Sequence, residues 1–581
     1  MALNETQKKR MSIVAGGLIL AFAAALFRLY QLQCLEHEKY EKLASQQHLT
    51  RIPIPVRRGT ILDTRGNPLA ISLPVNSAYA DPQIIRNKYL TAEALAPALK
   101  IDRMDIFAKL LAGRRFAWLK RKLDPAEEAA IQRLKLKGIA FRREYRRAYP
   151  HQHALGQVLG FVGLDDNGLA GLEVWFDKEL TGQPGYEIAK RDAAGTPMAD
   201  PSLEGLPGSN GLAIMLTIDG NIQHVAEEEL AKACQKHRPD SGVALVVEPA
   251  TGEILAMANW PSFDPNTYTK LSPEHLAKLE HNSAVLDVYE PGSTFKPFTV
   301  CAALDEKVVT EGTVFDCENG HAVLYRRTLR DAHGHGRLTV AEIITFSSNI
   351  GMAKVGIACG PERVHRFVRA FGFATAAGLP IKGEPSGMIT PLPQWTTYTI
   401  TSVPMGQEVA VTAVQMASAY SAIAMGGKLM KPHLVRKIAN PDTGEVIKDY
   451  PPEQVRQVVS TETARKLTEM MVNVVDVGTG RMAQIEGYRI AGKTGTAQKP
   501  LPNRRGYSSD AYSSSFVGYA PAFQPRICVL VKLDTPRAGS HYGGVVAAPA
   551  AREIIRRTLA YLHVPPEAEL LANKNQKTGA H

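Results

Sequence analysis

No charged residue interrupts the chain from Met11 to Phe27, and Lys8-Lys9-Arg10 stand directly before it. That length is near the lower limit for a helix crossing a bilayer, which takes about 17–25 residues. Leu29, Tyr30, Leu32 and Leu35 continue the apolar pattern at near-helical spacing, so the helix is expected to run on beyond the membrane. This continuation argues against a cleaved secretory signal with Ala23-Ala-Ala25 as its cleavage region. The expected organisation is a cytoplasmic tail over 1–10, a spanning helix over 11–27 and a polar helical stalk over 28–50. The basic residues should stay in the cytoplasm, which places everything after Arg28 outside.

The pattern then changes character. From Ile52-Pro-Ile-Pro-Val56 to about 215 short extended segments alternate with charged helices, and Gly205-Leu-Pro-Gly208-Ser-Asn-Gly211 reads as a loop near the end. Val243-Ala-Leu-Val-Val-Glu248, a turn at Thr251-Gly252, and Glu253-Ile-Leu-Ala-Met-Ala258 predict a β-hairpin. Ile527-Cys-Val-Leu-Val-Lys532 predicts a further buried strand, and Ala547 to Leu562 a closing helix. After Val564 the chain is polar and proline-started, so a disordered tail over 563–581 is expected.

Composition narrows the class. A chain of 581 residues, 45% hydrophobic, has room for two or three domains. The net charge of +11 is modest beside 68 basic and 57 acidic residues. Arg114-Arg115, Lys120-Arg-Lys122 and Arg142-Arg143 with Arg146-Arg147 read as solvated helix faces rather than a polyanion-binding surface. No zinc-finger or RNA-binding signature makes nucleic acid a partner. The six cysteines are scattered without a Cys-x-x-Cys pair, as expected of small buried apolar residues, with Cys34 beside the membrane. His151, His153 and the His333-Gly-His335 pair have only weak metal-like spacing and read as solvated loop histidines, so no metal and no cofactor is expected.

Three short motifs carry chemistry, in one order: Ser293-Thr-Phe-Lys296, Ser347-Ser-Asn349 and Lys493-Thr-Gly-Thr496. Residues i and i+3 share a helix face, so Lys296 can approach the Ser293 hydroxyl. Pro291-Gly292 suits a helix beginning near Ser293, where unpaired N–H groups favour a developing oxyanion. Lysine acts as a base only if burial or a nearby cation lowers its pKa, and Lys493 is the candidate for that cation. Alone, Ser293 would read as a helix cap. The ordered set points to a serine acyl-transfer enzyme acting on a peptide with a free terminal carboxylate.

With these motifs the chain resembles the class B penicillin-binding proteins, peptidoglycan D,D-transpeptidases, and among them the FtsI-type division enzymes. Arg58-Gly-Thr-Ile-Leu-Asp63 continuing to Gly66-Asn-Pro-Leu-Ala70 resembles the family's pedestal, as do Arg147-Ala-Tyr-Pro150, Gly156 and Gly168-Leu-Ala-Gly171-Leu-Glu173. Thr217-Ile-Asp219 with Gln223, Tyr289-Glu-Pro-Gly-Ser293, Gly478-Thr-Gly480, Ala491-Gly492 and Tyr542-Gly-Gly544 to Pro549 extend the likeness over about 57–555. The resemblance implies an α+β protein: a single transmembrane helix, a mixed α/β dimerisation or pedestal domain over 51–215, and a transpeptidase domain of antiparallel sheet flanked by helices over 216–562.

The roles follow from the same resemblance. Ser293 attacks the carbonyl between two D-alanines of a stem peptide, Lys296 takes its proton, and Ser347 with Lys493 relays a proton to the leaving amine. Asn349 holds the substrate amide and Lys296. Thr494, Gly495 and Thr496 bind substrate, the two hydroxyls taking the terminal carboxylate, while the N–H groups of Ser293 and Thr496 form the oxyanion hole. A neighbouring stem's amine then resolves the acyl-enzyme, and β-lactams acylate the same serine. Implied partners are peptidoglycan stems, a SEDS-family (FtsW-like) glycosyltransferase and other division proteins, met through the anchor and a pedestal whose charges, Glu173 included, are unlike those of a plain spacer. A β-lactamase is disfavoured because Leu-Asn occurs only at Leu3-Asn4, and a bifunctional synthase because no Glu-Asp dipeptide occurs. Elongation- or sporulation-type transpeptidases, a D,D-carboxypeptidase and a non-catalytic β-lactam sensor remain alternatives.

Overall fold

A computed structural model describes residues 4–113, 115–191, 197–199, 205–501 and 506–567. The chain divides into two compact units, residues 1–57 with 182–210, and residues 58–181 with 211–581.

In the first unit one helix runs from Glu5 to Tyr30, capped at Asn4, so it is longer than the uncharged stretch at both ends. Its apolar side chains face outward, Ile13 and Leu20 each at 74% exposure, as a lipid-facing helix requires. The backbone passes into a π-turn over Gln31–Leu35 and a second helix over His37–His48. Ala23–Ala25 therefore lies within continuous helix. The expected stalk ends early, because Leu49–Ile54 is a strand paired antiparallel with Gly185–Arg191.

The second unit holds residues 58–181 of the expected pedestal together with the expected transpeptidase domain. Its pedestal half is built on the long strand Pro68–Ala80, paired along its length with Ile139–Ala148 and at its end with Ala117–Lys120. Ile61–Leu62 joins that strand to Ala213–Leu216, which pairs in turn with Val435–Ala439. The boundary expected at 215 thus cuts a strand that belongs to one sheet with strands from both halves.

The catalytic half is assembled from α1 (Gly220–His237), β1 (Ser241–Val247), β2 (Ile254–Trp260), α2 (Lys296–Asp305), α3 (Asn349–Cys359), α4 (Ala413–Ala424), α5 (Thr461–Asp476), β3 (Ala491–Pro500), β4 (Tyr507–Ala520), β5 (Ile527–Asp534) and α6 (Ala548–Tyr561). The five strands form an antiparallel sheet in the order β2-β1-β5-β4-β3. Side chains alternate across a strand, and here both faces are covered: Leu245, Leu530 and Tyr519 enter the core with α2 and α4, while Val246, Val529 and Phe516 enter the core with α1 and α6. That double burial is why β1 and β5 read as uninterrupted apolar runs. Asp219 caps α1 through Asn221 and Ile222, and Gln223 exchanges two hydrogen bonds with the Met257 backbone of β2.

Residues 563–567 depart from the expected disorder. The Tyr488 hydroxyl donates to the Val564 carbonyl, and Glu567 pairs with Arg489 at 2.7 Å. The rest of the expected tail, 568–581, lies outside the described residues. Cys34 is exposed, and the other five cysteines are buried free thiols.

Candidate active site

Ser293 sits on a 3-10 turn, Gly292–Phe295, and the α-helix proper begins only at Lys296. The difference from a helix starting at the serine is local: Gly292 is at φ +55 and the Thr294 carbonyl is held by the Tyr420 hydroxyl at 2.6 Å. Thr294 Oγ1 closes the turn onto the Pro291 carbonyl. Phe295 and Phe298 anchor the turn and α2 against Phe371 and Phe373. Ser293 is thereby left half-buried at the mouth of α2 while its neighbours are inside.

Lys296 and Lys493 are both fully buried, and every hydrogen-bond partner they have is neutral. Lys296 Nζ donates to the Ser347 carbonyl at 2.5 Å, to Ser347 Oγ at 3.2 Å and to Asn349 Oδ1 at 2.9 Å. Lys493 Nζ donates to the same Ser347 Oγ at 2.9 Å. Burial lowers Lys296 to about 7, with Asp331 and Cys317 pulling the other way. Burial also takes Lys493 well below the lysine range, and the charge of Lys296 adds to it. Of the two routes that could lower Lys296, burial or a nearby cation, removal from water is the one the site shows, and it acts on Lys493 as well. Among the described residues no hydrogen bond joins Ser293 Oγ to Lys296 Nζ; such contacts often tighten only with substrate present.

Ser347 has a left-handed backbone, φ 64 and ψ 35, at the end of the helix Val340–Phe346. A non-glycine residue there is strained, and the strain turns the hydroxyl between the two lysines. Asp331, which the motif reading missed, holds this junction. It accepts from Ser348 Oγ at 2.6 Å and from the N–H groups of Asn349 and Ile350 at 2.5 and 3.0 Å. No spacing signal marks it, because it is a loop residue reaching across from a different segment. Asn349 Nδ2 donates to the Arg330 carbonyl at 3.0 Å.

β3 is the edge strand, so alternate backbone groups face away from β4 and can pair with an incoming peptide. Thr494 Oγ1 shares a hydrogen bond of 2.7 Å with Thr479 Oγ1, and Thr496 Oγ1 accepts from the Gly543 N–H at 3.0 Å. Gly495 has a different place. A Cβ there would lie 2.6 Å from Ser515 Oγ and 2.9 Å from Thr294, so its absence lets β3 press against the serine turn. Ser293, Ser347, Asn349, Thr494 and Thr496 all line one cleft of about 810 Å³. His151, His153, His333 and His335 join no cluster of metal-binding groups among the described residues.

The pedestal motifs converge as well. Arg58 Nε meets Glu173 Oε2 at 2.7 Å and Arg147 Nε meets Glu173 Oε1 at 2.6 Å, all three side chains buried. Tyr149 and Asp177 complete the cluster. Glu173 is fully buried, so it is no surface charge available to a partner. Gly171, at φ +56, lets the chain double back tightly enough for Glu173 to arrive, since a Cβ there would stand 2.5 Å from the Gly160 nitrogen.

This fold and this site are those of a transpeptidase. The penicillin binding protein transpeptidase domain matches residues 242–556 and the penicillin-binding protein dimerisation domain residues 53–216, and the chain belongs to the penicillin-binding protein family. Among its relatives, Stage V sporulation protein D of Bacillus subtilis is 34% identical over 99% of this chain and 89% of its own length. Peptidoglycan D,D-transpeptidase FtsI of Escherichia coli K12 is also 34% identical, over 98% of this chain and 94% of its own. The structure resembles penicillin binding protein 3 of Mycobacterium tuberculosis complexed with aztreonam, with TM-score 0.69, 26% identity and coverage of 89% of this chain and 98% of that one.

Proposed function

We propose that the protein is a membrane-anchored peptidoglycan D,D-transpeptidase that crosslinks stem peptides through an acyl-enzyme on Ser293, and that β-lactams acylate the same serine. The observation that carries this reading is the hydrogen-bonded chain Asn349–Lys296–Ser347–Lys493 in the cleft that holds Ser293.

A buried, neutral Lys296 accepts the Ser293 proton as Oγ attacks the carbonyl of the penultimate D-alanine. The N–H groups of Ser293 and Thr496 receive the oxyanion, at about 3–4 kcal/mol per donor. Ser347, which both lysines touch, relays the proton taken up by Lys296 to the departing D-alanine nitrogen with Lys493 supporting its hydroxyl, and the leaving residue's carboxylate rests on Thr494 and Thr496. Gly495 provides the close packing that sets both threonines. The amine of a second stem then attacks the acyl carbon and gives its proton back along the same chain, closing the crosslink and freeing Ser293.

The single apolar helix supports a one-pass anchor, and Lys8-Lys9-Arg10 support a cytoplasmic N-terminus with the catalytic domain on the extracytoplasmic side. The reading keeps a pedestal over 51–215 and a transpeptidase domain over 216–562, with a SEDS-type (FtsW-like) glycosyltransferase as partner in septal wall synthesis. A second reading, synthesis of wall during sporulation, is favoured by the Bacillus subtilis relative at the same 34% identity as the division enzyme.

The test is direct. Ser293→Ala should lose all covalent labelling by a fluorescent penicillin while its thermal unfolding stays near that of the parent. Labelling that persists would remove Ser293 from the mechanism.

A further inference from the structure

The cleft around Ser293 is lined by Arg327, Arg330, His333, Arg481 and His541, and by no aspartate or glutamate among the described residues. The terminal carboxylate of a donor peptide is already provided for at Thr494 and Thr496. This basic surplus therefore exceeds what the reacting end of the substrate needs.

Arg327 is the most committed of the group. Its guanidinium donates to Ser402 Oγ at 2.6 Å, Thr401 Oγ1 at 3.0 Å and Gln407 Oε1 at 3.1 Å, and lies 3.9 Å from the centre of the Tyr398 ring. All of these partners are neutral, so the charge is fixed in position and left uncompensated. The other two arginines are exposed and tied through their segments to the two polar anchors of the site. The Arg330 carbonyl holds Asn349, and Arg481 follows the loop whose Thr479 holds Thr494. Asp331, next to Arg330 in sequence, does not line the cleft and is turned inward onto Ser348, Asn349 and Ile350.

Cations gathered without acids in a cleft focus their field on whatever enters, and arginine pairs with carboxylate in a fork geometry. We infer that Arg327, Arg330 and Arg481 form a specificity wall that recognises a second carboxylate on the stem peptide, away from its reacting terminus. Two positions can supply it: a carboxylate on the third residue, directly before the D-alanine pair, or one on the second residue, before that. The inference rests on the transpeptidase reading above and adds to it the charge of the preferred substrate.

Competition with benzylpenicillin tests it in the purified full-length protein in detergent, without requiring peptide turnover. Three synthetic D-Ala-D-Ala pentapeptides are compared: one with both internal carboxylates free, one amidated at the third residue and one amidated at the second. The free diacid should halve the rate of penicillin acylation at a concentration about 10-fold or more below that of one amide, and the weaker amide identifies the source. Arg330→Gln and Arg481→Gln should shrink that ratio, Arg481→Lys should retain part of it, and added salt should erode it. Equal competition by all three peptides, no competition by any of them, or a ratio unchanged in both glutamine variants would overturn the inference. Failure of the unmodified protein to react with benzylpenicillin would instead overturn the reading beneath it.

Discussion

Two buried charge clusters, one in the pedestal half and one in the catalytic half, are made of similar parts and behave in opposite ways. In the pedestal, burial works against the charge of Arg58, but Glu173 and Asp177 outweigh it and hold its pKa above the usual arginine value. In the catalytic half, burial works against Lys296, Asp331 and Cys317 oppose it without offsetting it, and the pKa falls to about 7. What separates them is the presence of a carboxylate in contact. Glu173 touches both arginines within 2.7 Å, whereas the lysines touch a hydroxyl, two carbonyls and an amide. A compensated cluster fastens three chain segments together. An uncompensated one yields a lysine that gives up its proton near neutrality, as a base for serine must.

Substitutions can break this comparison at either end. Lys296→Ala should slow acylation by benzylpenicillin about 10²–10⁴-fold, because no other group replaces the base. Stopped-flow labelling measures this, and a loss under about tenfold would show that Lys296 is not the base. Glu173→Lys should act on the fold instead. It leaves three cations together in a buried site, and loss of one partner of a buried pair costs about 3–5 kcal/mol. Denaturant unfolding should show that loss, and an unchanged midpoint would contradict the cluster's structural role. Thr496→Val removes a hydroxyl but keeps the backbone donor, so acylation should fall by about tenfold or less; rates matching those of Lys296→Ala would invert the two roles. Arg465→Ala breaks an exposed pair with Glu469, and its effect on stability should stay within about 0.5 kcal/mol.

Much of this was readable before any coordinates. The strands β1 and β5 announce themselves because both faces are buried, and the three motifs because their spacing reflects local geometry around Ser293, Ser347 and Lys493. The pedestal motifs were visible as a resemblance, but their meaning was not. Arg58, Arg147 and Glu173 lie far apart in sequence, and nothing local says that they meet in the interior or that Glu173 is inaccessible to a partner. Asp331 was hidden for the same reason, since its work is done across a loop. That Lys296 needs burial or a neighbouring cation to act as a base is legible in the sequence, but only packing shows that water is excluded from it.

The central claim is that burial alone makes Lys296 a base at physiological pH. Its folded pKa lies below the ordinary value of 10.5, so the unfolded chain binds this proton more tightly than the folded protein. The cost of folding around Lys296 is therefore full below about pH 7 and is relieved as pH rises toward 10.5. Acylation follows the same proton. The rate constant for reaction with benzylpenicillin, measured from pH 5.5 to 9.5, should rise through an inflection near 7 and level off, and Lys296→Ala should lose the inflection. A rate that stays level across pH 7 and climbs only toward 10, or an inflection near 7 that survives in Lys296→Ala, would contradict the account.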